Sequence, residues 1–366
     1  MKKAYVLAVL LVALAAACTS SGGKDTGGGE EKREITINGA GASFPYPLIM
    51  KWSQEYYRLK GVKINYQSIG SGGGIRQTLA KTVDFGASDA PLSEEEFSRM
   101  QGILHIPETL GSVAVVYNLP GVEELRLTGE VLADIYLGKI TRWNDPRIAE
   151  LNPEAELPDE QIVVVRRSDG SGTTFVFSDY LSSVSQEWSQ KVGKGKSLSW
   201  PVGLGGKGNE GVAGLVKQNP YSIGYVELAY AIENGMSYAS LKNRAGRFVK
   251  PSIAGTSAAA AGAAPELPKG YESWAQVSIV NAPGEDAYPI SSFTYLLVYR
   301  DLSVIPGMTE AKARALVEFL WWAVHDGQKY APELHYAPLP EQVVKLNEET
   351  IRLITYGGKP LLQVPE

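Results

Sequence analysis

The chain has 366 residues, with 35 Lys plus Arg against 40 Asp plus Glu, a formal net charge of −5. Apolar residues make up 44% and charged residues 20%, enough to bury the core of two domains or one large one at roughly 150 residues per domain. The acidic balance excludes a basic surface for nucleic acid, the single cysteine excludes an intramolecular disulfide and a cysteine zinc site, and His105, His325 and His335 show no metal-ligand spacing.

The chain opens MKKAYVLAVLLVALAAAC. Lys2 and Lys3 precede a short apolar run, three alanines and then Cys18, the pattern of a bacterial lipoprotein signal. Residues 1–17 are expected to be a signal peptide and Cys18 the lipidated residue, although Ala15 stands where such signals usually carry Leu. Residues 18–33, rich in Gly, Ser and charge, read as a flexible tether between a membrane anchor and a folded body.

The body begins near Glu34. EITINGAG alternates and then breaks at glycine, a strand running into a loop. FPYPLIMKWSQEYYRL repeats Leu48, Trp52 and Tyr56 at helical spacing behind prolines. VKINYQSI reads as a strand, and GSGGGIRQTLAKT opens a helix with Ser71 as its expected N-cap. VDFGASD is a short strand, PLSEEEF carries the Ser93–Glu96 spacing of a capping box, and GSVAVVYNL is a strongly apolar strand. Later come a Val-rich strand over 161–167 and a turn and helix over DGSGTTFVFSDYLSSV with Phe177, Leu181 and Val184 on one face. SIGYVELAYA and SSFTYLLVYR read as strands, and 307–326 as a long amphipathic helix. This alternation predicts an α/β fold with a largely parallel sheet. The Ala/Gly/Pro-rich stretch over 253–270 reads as a surface excursion or linker.

Three turns each follow a strand, precede a helix and combine Gly with Ser or Thr: GAGASFP, IGSGGG and RRSDGSGTT. Glycine admits close approach to the backbone, and free N–H groups with the helix dipole favour an anion. One such turn is ordinary helix capping. Three, one of them beside Arg166 and Arg167, point to one shared anion site. Nucleotide motifs do not compete. The Gly195-Lys196-Ser197 triplet has Gln190 where a P-loop needs glycine, and the GxGxxG of Gly203, Gly205 and Gly208 has no clear strand before it. No GxSxG elbow surrounds Ser43, Ser71 or Ser171.

GAGASFPYPLIMKW, NYQSIGSGGGIRQ, TVDFGASDAPLS, DIYLGKITRWND, VVVRRSDGSGTTFVFSDYL, PVGLGGKGNEGVAG and SIGYVELAYA, in this order, resemble the phosphate-binding proteins of bacterial phosphate ABC transporters. The likeness runs from about Ile35 to Tyr230 and resumes more loosely from Gly284. It implies a two-lobed periplasmic-binding-protein fold of type II, with the ligand cleft between lobes. The expected division is 34–117 plus 291–366 as lobe I and 118–290 as lobe II. The resemblance assigns ligand contacts to Ser43, Phe44, Ser71, Asp89, Arg167, Ser171, Gly172 and Thr173, with Asp169 pairing with Arg167. Gly72 departs from the second Ser of many members, and Ser43 stands where Thr is common.

These residue types suit a buried oxyanion, because hydroxyls, backbone N–H groups and a guanidinium fork supply donors. Asp89 is the odd member. A carboxylate accepts but cannot donate, which fits a ligand that carries a proton: phosphate has a P–OH at neutral pH and sulfate has none. The expectation is a monomeric, non-enzymatic receptor in the periplasm or at the cell surface, held to the membrane by lipid. It would pass inorganic phosphate to a transmembrane permease, with no metal, no cofactor, no catalytic residue and no nucleic-acid partner. The alternatives are a secreted phosphatase and a receptor for sulfate or another oxyanion.

Overall fold

The computed structural model describes residues 34–261 and 267–362. The signal peptide, Cys18 and the tether expected over 1–33 lie outside the described residues.

The main sheet runs, in hydrogen-bonded order, Lys63–Ser68, Thr36–Gly41, Phe85–Ser88, Ser291–Tyr299, Ile103–Asn118, Ser222–Glu227, Val163–Arg167 and Leu204–Gly206. The first three strands are mutually parallel, and so are the last three. The middle is not. Ser291–Tyr299 is antiparallel to both of its neighbours, and Ile103–Asn118 is antiparallel to both of its own. The expected largely parallel sheet is therefore two parallel wings joined by an antiparallel centre.

That centre rests on one strand of 16 residues. Its first part, Ile103 to Ser112, pairs with Ser291–Tyr299, and its second part, Val113 to Asn118, pairs with Ser222–Glu227. The apolar GSVAVVYNL run is only its second half, because Pro107 and the charged Glu108 hide the first. The strand changes partner at Ser112–Val113, and each side has its own wing and helices.

Local chemistry explains the helix boundaries. Tyr46–Lys60 buries Leu48, Trp52 and Tyr56, and it ends at Gly61, whose φ of 68° permits the left-handed turn. Glu94–Arg99 has the full capping box: Glu96 N–H donates to the Ser93 hydroxyl and Ser93 N–H to the Glu96 carboxylate. Thr309 caps Glu310–Val324, with Leu316, Phe319, Leu320 and Ala323 buried. Phe319 packs edgewise on Tyr56 at 5.3 Å between ring centres, and Trp322 lies tilted against it at 5.1 Å. In the other half Phe177 stacks on Tyr225 at 4.1 Å.

Two readings change. SIGYVELAYA is not one strand: Ser222–Glu227 is extended, and the Glu227 carboxylate then caps a helix over Leu228–Glu233. The Ala/Gly stretch is not a surface excursion over its first half. Ile253–Ala261 is a helix with Gly255, Thr256, Ala259 and Ala260 buried, because small side chains let a helix lie close to the sheet. The chain beyond it returns to the first half of the long strand, where Gly270 C=O accepts from His105 N–H and Trp274 stacks on His105.

Candidate ligand-binding site

Five strand ends converge. Thr36–Gly41, Lys63–Ser68 and Phe85–Ser88 lead into Ser43, Ser71 and Asp89, while Val163–Arg167 leads into the 169–173 turn. The fifth, Leu204–Gly206, leads into Asn209. Carboxyl ends of parallel strands, capped by helix starts, are where α/β sheets bind ligands.

The expected residues lie within one hydrogen-bonded group, with Ser43, Ser71, Asp89, Ser171 and Thr173 at most 1% exposed and Arg167 2% exposed. Arg167 closes strand Val163–Arg167. Its Nε donates to Asp169 Oδ1 at 2.7 Å and its Nη2 to Asp169 Oδ2 at 2.6 Å, a forked pair that leaves Nη1 to reach Thr173 Oγ1 at 3.2 Å. Asp169 also accepts from Gly208 N–H. Burial works to raise its carboxyl, but the guanidinium and that N–H hold it below the ordinary range. Arg166 stays outside the group: its Nη1 donates to the Arg167 carbonyl and its stem lies beneath Gly203.

The two serine turns differ in detail. Ser171 is a true N-cap, its hydroxyl oxygen accepting from Thr174 N–H at 3.0 Å, so its hydrogen is still free to donate. Ser71 is not the cap expected. Gly70, with φ 80°, holds that position, and Ser71 is the first helical residue. A side chain on Gly70 would start 2.3 Å from Asp169 Oδ2, so the tight approach forces glycine there and shifts the helix start by one. The Ser71 hydroxyl points across the cleft, accepting from Gly172 N–H at 3.0 Å and Asp89 N–H at 3.3 Å. The absence of serine at Gly72 also has a cause. Gly72 N–H donates to the Gly170 carbonyl, and a Cβ there would sit 3.2 Å from Gly170 Cα.

Phe44, the apolar member of the expected set, is fully buried. Its ring lies near Tyr336 at 6.4 Å, and its carbonyl accepts from the Tyr336 hydroxyl at 2.6 Å. The Ser43 carbonyl accepts from the Tyr230 hydroxyl at 2.6 Å.

Asp89 is 1% exposed, and burial pushes its carboxyl up to about 7, against the pull of Arg167 and of the Thr294, Thr173 and Ser71 hydroxyls. Burial thus opposes the ordinary carboxylate range that the sequence suggests, and the neighbouring donors favour it. The Thr173 hydroxyl lies 3.5 Å from Asp89 Oδ2.

Sequence reasoning missed Asn209. It is fully buried in the first turn of Gly208–Gln218. Its backbone N–H and Nδ2 both donate to Ser43 Oγ, at 3.1 and 2.9 Å, and Nδ2 also reaches Thr173 Oγ1 at 3.2 Å. Its Oδ1 accepts from Glu227 N–H. The signal was the glycine-rich GLGGKGNEG, set aside because no strand was visible before it. Leu204–Gly206 is that strand, too short and too glycine-rich to alternate.

The donors therefore come from turns on both sides of the sheet centre and surround one carboxyl that can accept. His105 stands apart, stacked between Phe97 and Trp274, with Nε2 accepting from Leu92 N–H.

A family model described as PBP superfamily domain matches residues 21–325. A phosphate-binding protein PstS of Xylella fastidiosa (strain Temecula1) is 51% identical over 86% of this chain and 85% of its own length. The chain belongs to this family. A second PstS member, from Pasteurella multocida (strain Pm70), is 50% identical over 85% of this chain and 88% of its own length. Among solved structures, a putative phosphate ABC transporter substrate-binding protein from Clostridium perfringens with bound phosphate superposes with a TM-score of 0.60. It is 20% identical and covers 83% of this chain and 100% of its own, and it carries the fold alone. The fold is that of the two-lobed periplasmic-binding proteins.

Proposed function

We propose that the protein captures inorganic phosphate between its lobes and delivers it to the permease of an ABC importer, binding and releasing without chemistry. The observation that carries this reading is one acceptor carboxyl, Asp89, set among the donors of Ser43, Ser71, Arg167, Ser171, Gly172 and Thr173. A ligand that fits is an oxyanion keeping at least one hydroxyl, which describes phosphate and excludes sulfate at neutral pH. Phe44 adds its backbone N–H, and Asp169 holds Arg167 in its fork.

Titration calorimetry with phosphate, arsenate and sulfate tests the assignment. Phosphate is expected to bind at micromolar concentration or below, with sulfate at least about 100-fold weaker, roughly 2.7 kcal/mol. Displacement of phosphate by sulfate at comparable concentration overturns it.

The lobes we propose are 34–117 with 291–366, and 118–290 inserted; the partner change at Ser112–Val113, a few residues before Tyr117, supports a crossing on the long strand. Residues near Gly270 and Trp274 reach back over the first lobe and bridge the two. We also assign Cys18 as the lipid attachment point of a monomeric, cell-envelope receptor, on the strength of the signal-like stretch before it. Metabolic labelling with a fatty acid should mark the protein, and Cys18→Ala should abolish the label. Persistence of the label removes the anchor from the scheme.

A further inference from the structure

The pairing of Ile103–Asn118 with Ser291–Tyr299 has one irregularity. The register shifts between Thr294, opposite Thr109, and Tyr295, opposite Pro107. Glu108 is the extra residue of this bulge, fully buried, its carbonyl accepting from Gln328 Nε2. Bulges re-aim side chains. Here the result is a second buried carboxyl behind Asp89, joined to it by one hydroxyl. Thr294 Oγ1 lies 3.1 Å from Glu108 Oε1 and 3.4 Å from Asp89 Oδ1.

We propose that Glu108 is a positioning residue for Asp89: it keeps its own proton and, through the Thr294 hydroxyl, holds Asp89 as the carboxylate that accepts from a protonated oxyanion. The proposal rests on the phosphate reading above.

Counting hydrogens decides the arrangement. A threonine hydroxyl has one hydrogen and two lone pairs. Were both carboxyls ionised, one would receive that hydrogen and the other would face a lone pair, with Thr294 itself fully buried. Two carboxylates so close and so buried do not both ionise. With a proton on Glu108 the chain closes. Glu108 O–H donates to Thr294 Oγ1, Thr294 O–H donates to Asp89 Oδ1, and Asp89 Oδ2 is left for the ligand.

The surroundings place the proton on Glu108. Asp89 has the Thr173 and Ser71 hydroxyls and the Arg167 guanidinium near it. Glu108 Oε2 meets no hydrogen-bond partner among the described residues, and the charge that bears on it is that of Asp89. Tyr66, whose hydroxyl donates to the Ala42 carbonyl, and buried Glu227, whose carboxylate accepts from Ala229 N–H, are near enough to feel Asp89. Neither supplies positive charge, and Arg167 is already matched by Asp169. Burial pushes Glu108 up to about 8, above Asp89, in the same order.

The test is phosphate titration of the full chain from about pH 6 to 9.5, with Glu108→Leu, Glu108→Gln and Thr294→Val. Wild type is expected to lose about tenfold in affinity above pH 8 as Glu108 ionises, while phosphate itself keeps its proton. Glu108→Leu and Thr294→Val break the chain and should each weaken binding at neutral pH by about 10- to 30-fold. Glu108→Gln presents an N–H from the same place. It should recover most of what Glu108→Leu loses and should lack the alkaline weakening. A folded Glu108→Gln that binds as poorly as Glu108→Leu, or that keeps the alkaline weakening, overturns the proposal. So does a wild type with no alkaline weakening. Wild type that binds no phosphate at any pH overturns the phosphate reading itself, which is a separate result.

Discussion

The Ser71 and Ser171 turns look alike in sequence, since each follows a strand, mixes Gly with Ser and opens a helix. In the structure they divide the work. Ser171 stabilises its own helix by capping it, and only its hydrogen remains for a ligand. Ser71 caps nothing, because Gly70 has taken that place, and its hydroxyl gathers N–H groups from the opposite turn and from Asp89. Two similar motifs thus separate local stability from closure of the cleft, and the difference turns on the left-handed conformation of a single glycine.

Mutations should pull the two turns apart. The largest effect belongs to the Ser171 side. Arg167→Ala leaves the partly buried Asp169 without its partner, and breaking a buried pair costs up to about 3–5 kcal/mol. Thermal unfolding should show a large drop in Tm, and phosphate binding should vanish. Gly172→Ala strikes where the turns meet. Its Cβ would lie 2.5 Å from both Asp89 Oδ2 and Ser71 Oγ, so closure is blocked. Phosphate affinity should fall by about 100-fold, roughly 2.7 kcal/mol by calorimetry.

The serines then separate. Ser171→Ala should lower the stability of the ligand-free protein by about 1 kcal/mol. Ser71→Ala should leave that stability nearly unchanged and weaken phosphate binding by about tenfold, because the ligand loses a hydroxyl donor and closing the cleft would bury the Asp89 N–H unpaired. Equal loss of stability from both would erase the distinction between the turns.

The remaining test is pH dependence. Asp89 and Glu108 have folded values near 7 and 8 against ordinary values of 3.8 and 4.5. The folded protein therefore holds more protons than the unfolded chain across this window. Its stability should decline as pH rises from about 4 to 8, and most of the decline should come above about 5. Asp89→Asn should flatten part of that decline in Tm and should weaken discrimination against sulfate more than phosphate binding.

Legibility followed distance along the chain. The Ser93–Glu96 capping box is local, and its spacing announces it. The motif resemblance led to Arg167, Asp89 and the glycine turns, which the fold brings together. Asn209 was hidden because its strand has three residues, two of them glycine. The Ile253–Ala261 helix was hidden because the small residues that pack closely on a sheet also look like a linker. Glu108 and Thr294 had no chance of being read. They are 186 residues apart, and only the bulge between their strands makes them neighbours.

The strand Ile103–Asn118 belongs to both halves, and this has a mechanical consequence. Its backbone is paired on either side of Ser112–Val113. Opening the cleft therefore twists a continuous ribbon and does not merely slacken a tether. A swing of one half against the other would be limited by the ladder bonds on either side of that point. Bound ligand and ribbon elasticity then share control of the angle a membrane partner would meet.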